Sequence, residues 1–123
     1  MAGGPVAPEM TMSIRLAMRL AADTLARGSA SIGDDWVVGG ACLGMDTDRV
    51  FYTPPKYTRA YDTCARCSVA VECLAEALLE ERKVPQQLLC GVRGGQAPRE
   101  RLWLAIESGV RKSVPATMEA KAG

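Results

Sequence analysis

The sequence predicts an all-α fold, a small bundle of about four helices, and three observations lead there. Apolar residues recur at three- and four-residue spacing in separate stretches, as one face of a helix requires. Gly28, Pro85 and Gly109 stand where those stretches stop. Residues 29–55 hold four glycines and two prolines with no sustained period of either kind, and read as turns around a short helical piece.

The first helix runs from Thr11 to Ala26, with Ile14, Ala17, Met18, Ala21 and Leu25 at helical spacing and Arg15, Arg19 and Asp23 polar. The long loop that follows needs a fastening within so small a domain, and Cys42 lies in it. Beyond Pro55, Lys56 to Ala65 reads as a short helix leading into the turn CARC. Ser68 then caps a helix from Val69 to about Lys83, with Cys73, Leu74, Ala77 and Leu78 on the apolar side and Glu76, Glu80, Glu81 and Arg82 outside. LLCGVRGG, at 88–95, puts three glycines in five positions, as a tight turn or a close backbone approach demands. The last helix starts at Pro98, a favoured first position, and carries Leu102, Trp103 and Ile106 to Gly109.

With 123 residues the chain is one domain long. Its packed part is expected over 11–109, between a flexible N-terminus (1–10) and a flexible tail (110–123). Fifteen Lys and Arg against 14 Asp and Glu give a net charge of +1, which lacks the broad basic field of a dedicated nucleic-acid binder. No charged leader with an apolar run and no long apolar stretch occurs, so the expected location is cytoplasmic, with no membrane span. In a reducing compartment, clustered cysteines are more often ligands or redox centres than disulfides.

Cys64 and Cys67 flank a two-residue turn, and Cys73 falls on the first turns of the next helix, facing back to the pair. Three thiolates can converge there. With no histidine in the chain, a metal or cluster needs a fourth from Cys42 or Cys90, and Cys42 is favoured because its loop needs fastening. Structural zinc usually takes two close pairs of ligands, whereas one pair with two outliers, CX21CX2CX5C, suits the wider corners of an iron–sulfur cubane. A zinc site and simple burial of small apolar thiols stay as alternatives.

Trp36 six residues before Cys42, the stretch DTDRVFY after it, CARCSVAVEC, and GVRGG followed by a charged helix resemble, in order and spacing, the WhiB-like family of actinobacteria and their phages, over about residues 34–107. The resemblance implies a small all-helical protein wrapped around a four-iron four-sulfur (4Fe-4S) cluster on Cys42, Cys64, Cys67 and Cys73; Cys90 matches no ligand. It also implies a transcription regulator that binds region 4 of the primary sigma factor of RNA polymerase, through Trp36, Phe51, Tyr52 and the turn Gly91, Val92, Arg93, Gly94 and Gly95. Oxygen or nitric oxide sensing is implied by the resemblance alone.

Two departures from the family pattern matter. Its turn normally carries Trp at the third position, where this chain has Arg93, trading an apolar anchor for a charge that can meet an acidic partner. Its members commonly end in a strongly basic tail that reads DNA. Here Arg99, Arg101, Arg111, Lys112 and Lys121 face Glu100, Glu107 and Glu119, a surplus of two charges, so DNA contact is expected to be weak or indirect and the protein to repress or compete. The competing readings are a thiol–disulfide redox enzyme using Cys64 and Cys67, which lacks a βαβ context, and a small zinc interaction module.

Overall fold

Thr11 caps the first helix: its side-chain oxygen accepts the Ile14 N–H at 3.2 Å, and α1 runs Met12–Ala26. In the computed structural model, which describes residues 10–45, 50–52 and 57–112, three more helices follow: α2 (Thr58–Ala65), α3 (Ala70–Glu80) and α4 (Pro98–Glu107). Short 3-10 turns stand at Asp35–Gly39 and Gln86–Leu88. Among the described residues there is no strand, only an isolated bridge between Arg93 and Gln96, so the fold is the small all-α one the periodicity predicts. Most of each expected terminal segment (1–9 and 113–123) lies outside the described residues, as do 46–49 and 53–56, which take in part of the acidic stretch and the expected start of the second helix at Lys56.

Helix α3 is the hub, packed on α1, on α4 and on the 3-10 turn at Asp35–Gly39. Being surrounded, it buries six consecutive residues, Leu74 to Leu79, where an amphipathic surface helix would bury one stripe. Its Leu74, Leu78 and Leu79 join Ile14 and Met18 of α1 and Leu104 of α4 in the main core, and Ala17, Ala21 and Ala75 let the backbones approach. Each fully buried leucine contributes about 1.5–3 kcal/mol. A second, smaller core lies apart: Val50, Phe51, Ala60 and Val92, with Cys42, Met45, Tyr57 and Cys64 against it.

Three expectations for α3 are overturned, the first by burial on all sides. Glu76, placed outside by the pattern, is buried, its Oε2 accepting the Ser31 hydroxyl and its Oε1 the Ile32 N–H, both at 2.9 Å. It thereby fastens the loop after α1, a task the sequence suggested for Cys42 alone. Ser68 does not cap α3, whose Val69 cap position has no side-chain bond; its hydroxyl donates to the Gly39 carbonyl at 3.4 Å instead. The helix also stops at Glu80, short of Lys83.

α4 starts at Pro98, with half of a capping box in place: the Glu100 carboxylate accepts the Ala97 N–H at 2.7 Å. It ends at Glu107, where Gly109 takes a positive φ and the Val110 N–H reaches back to Ala105 O at 3.1 Å.

Candidate metal centre

Cys64 lies in the last turn of α2, Cys67 in the connection to α3, and Cys73 in the first turn of α3. The Cys64 carbonyl accepts the Cys67 N–H at 3.1 Å, which makes the CARC segment a tight turn. The loop of Cys42 meets it from the other side, the Ala41 N–H pointing at Cys67 Sγ at 3.4 Å. All four thiols line one cavity of about 200 Å³; Cys90 does not, and is exposed.

The glycine turn closes that cavity. Val92 is buried on its wall, and its N–H donates to Phe51 O at 2.9 Å, bringing Phe51 in from the opposite side. Gly94 and Gly95 direct backbone N–H groups at Cys73 and Cys64. Such donors favour a thiolate and tune whatever group it holds. The approach requires glycine at 94: φ is +58°, and a Cβ there would lie 2.7 Å from the Leu74 Cα. A Cβ on Gly91 would meet the Tyr52 ring at 2.3 Å.

Burial pushes the Cys64 thiol up to about 11; the Gly95 N–H pulls the other way, and the neighbouring thiols add to the rise. Burial also raises Cys73, opposed first by the Arg93 guanidinium and then by the Gly94 N–H. Both groups stay protonated near neutral pH until something cationic replaces the proton, as happens when thiolates bind a metal or cluster. The donor set is soft, four sulfurs, and suits zinc or iron–sulfur alike.

Among the residues expected to meet a partner, Phe51 and Val92 face inward onto the cavity. Tyr52 lies on its rim, 43% exposed, and Trp36 is half-buried, its Nε1–H donating to Gly33 O at 2.8 Å. Val38, 83% exposed, and Leu43 are uncovered apolar side chains on either side of Cys42. Arg93 is turned to its own chain: Nη2 sits 2.6 Å from Glu80 Oε1 and Nη1 3.5 Å from Glu81 Oε2.

Arg101 corrects the reading of the tail. Counted there among charges available to phosphate, it is 1% exposed. Its Nε and Nη2 grip the two oxygens of Glu81 at 2.8 and 3.0 Å, Nη1 donates to Gly91 O and Gln96 O at 2.6 and 2.7 Å, and Nη2 to Cys90 O at 2.9 Å. One guanidinium thus pins both ends of the glycine turn to the end of α3. Arg111 likewise donates to the Glu81 carbonyl at 2.8 Å. The signal for Arg101 was legible: three and four residues before Leu104 and Ala105, it shares their buried face of α4.

No helix among the described residues is long and apolar enough to cross a membrane. Neither the curated proteins nor the solved structures searched include a match to this chain. The family model described as Transcription factor WhiB matches residues 36–104, from Trp36 to Leu104, and so takes in all four cavity thiols and the glycine turn. A match over that span, more than half of the chain, makes the protein a member of the WhiB family of transcription factors.

Proposed function

We propose that this chain is an iron–sulfur transcription regulator, holding a 4Fe-4S cluster on Cys42, Cys64, Cys67 and Cys73 and binding region 4 of the primary sigma factor to alter promoter use. The observation that carries the reading is the convergence of four thiols from three segments on one cavity closed by the glycine turn. Bound there, the cluster supplies a redox-active, oxidant-sensitive link between the Cys42 loop and the α2–α3 turn. The chain's own residues do the rest. Trp36 and Tyr52 offer aromatic contact, Val38 and Leu43 extend it, and Phe51 and Val92 support it from below. With Arg101 buried and Arg111 engaged, contact with DNA is weak or indirect, which suits a repressor or a competitor for sigma. The reading places the protein in the cytoplasm and gives it no enzymatic activity. A raised Cys64 thiol argues the same way, since a catalytic CxxC needs a lowered one.

The test is iron, sulfide and zinc content with a visible spectrum on protein purified without oxygen, followed by co-purification with sigma region 4. About four irons and matching sulfide per chain, with a stable complex, are expected. One zinc without colour supports the zinc module, and a cluster protein that ignores sigma refutes the partner.

A further inference from the structure

Arg93 stands on the wall of the thiol cavity, and among the described residues lining that cavity it is the one charged side chain. Its own surroundings hold it there. Glu80 and Glu81 bind the guanidinium from the α3 side, and Glu81 is itself anchored by buried Arg101, so the charge is fixed in place and only 22% exposed. The remaining described wall is made of thiols, Phe51, Val92 and other uncharged groups, which solvate negative charge poorly. Four thiolates around a cubane leave net negative charge on the assembly, more after reduction.

We propose that Arg93 is the built-in counter-charge of the thiolate-held group: fixed by Glu80 and Glu81, it offsets the negative charge on the sulfurs and raises the potential at which an electron is taken up. It is a positioning residue acting through the thiolates, and the inference rests on the cluster reading above. The step is uptake of one electron from a mediator reduced by dithionite; total charge falls from two negatives to three, no bond forms or breaks, and no proton moves. Unit charges this close, at an effective dielectric near 20, interact strongly enough to move a reduction equilibrium. Discounting for the two carboxylates and for solvent, about a tenfold effect on the reduction equilibrium is expected.

The experiment is mediated potentiometry on anaerobically purified wild type, Arg93→Gln, Arg93→Lys and Glu80→Gln. Arg93→Gln should disfavour reduction about tenfold, about 59 mV for one electron. Arg93→Lys should stay near wild type, because the charge persists. Glu80→Gln, which removes a negative charge and leaves Glu81 to hold Arg93, should shift the potential upward and decides the matter if Arg93→Gln does not fold. An unchanged potential in Arg93→Gln, a Lys variant shifted as far as Gln, or a Glu80→Gln potential that stays or falls overturns the proposal. So does a wild-type cluster that accepts no electron even from titanium(III) citrate. Wild type without iron and sulfide sinks the cluster reading itself, an outcome read from composition before any potential is measured.

Discussion

Replacing Arg101 by methionine removes a charge and five hydrogen bonds while keeping an extended side chain in the same space. Glu81, its side chain 13% exposed, is left facing a thioether. Breaking a buried pair by deleting one partner costs about 3–5 kcal/mol, most of it the stranded charge. The carbonyls of Cys90, Gly91 and Gln96 lose a donor as well, but that loss overlaps the first and does not add to it. Arg93 remains 3.5 Å from Glu81 and relieves part of the cost, so the low end, about 3 kcal/mol, is expected. For a domain near 100 residues that lowers the midpoint of thermal unfolding by roughly 12–24 °C. The assay is urea and thermal unfolding of anaerobically purified protein, with Glu81→Gln and the double variant completing a cycle. The double variant should lose clearly less than the sum of the singles. A loss under about 1 kcal/mol for Arg101→Met, the size of an exposed pair, or strict additivity would refute the clamp.

Gly94→Ala forces an L-residue into left-handed backbone against the Leu74 main chain and should cost at least about 2 kcal/mol, read by urea unfolding, with loss of bound iron. Glu76→Ala should cost about 1–3 kcal/mol and speed hydrogen exchange at the Ile32 amide, which loses its 2.9 Å acceptor. In protein that keeps its bound group, exposed Cys90 should be alkylated near pH 8 well before the four cavity thiols, which peptide mass spectrometry resolves. Removing the bound group with a chelator should raise exchange in α2 and around Phe51 and Val92 while α1 and α3 stay protected, which hydrogen-exchange mass spectrometry resolves.

What could be read from the sequence followed from local rules. The apolar period located α1, the proline at 98 located α4, and the density of cysteine around CARC located the centre of the cavity wall. What escaped was set by tertiary placement. Glu76 sits on a helix surrounded on every side, so its solvent face does not exist, and a carboxylate there becomes an anchor for a passing loop. Arg101 and Glu81 are twenty residues apart, and no periodicity announces that two charges so placed will meet in the interior. The glycines of the turn were rightly expected to serve a close approach, but only the packing reveals against what: the Leu74 backbone for Gly94, Tyr52 for Gly91.

The two cores divide the labour of the chain. Main-core burial among α1, α3 and α4 includes several fully buried leucines and does not depend on the thiols. The second core has four buried residues, and α2 is only eight residues long, too short to hold a helix by itself. Everything that positions Tyr52, Phe51 and the Cys42 loop therefore rests on a small apolar contact, the Arg101 clamp and whatever joins the four sulfurs. Losing that last link costs order on one side of the molecule and leaves the bundle standing. On the cluster reading proposed above, a regulator built this way would give up its contact surface without exposing the main core, and its response would not require unfolding the protein. Arg93 and Arg101 sit at the boundary, meeting at Glu81, where the end of α3 touches the turn. Through that carboxylate the charge on the cavity wall is tied to the end of α3, while Cys73 ties the thiols to its start.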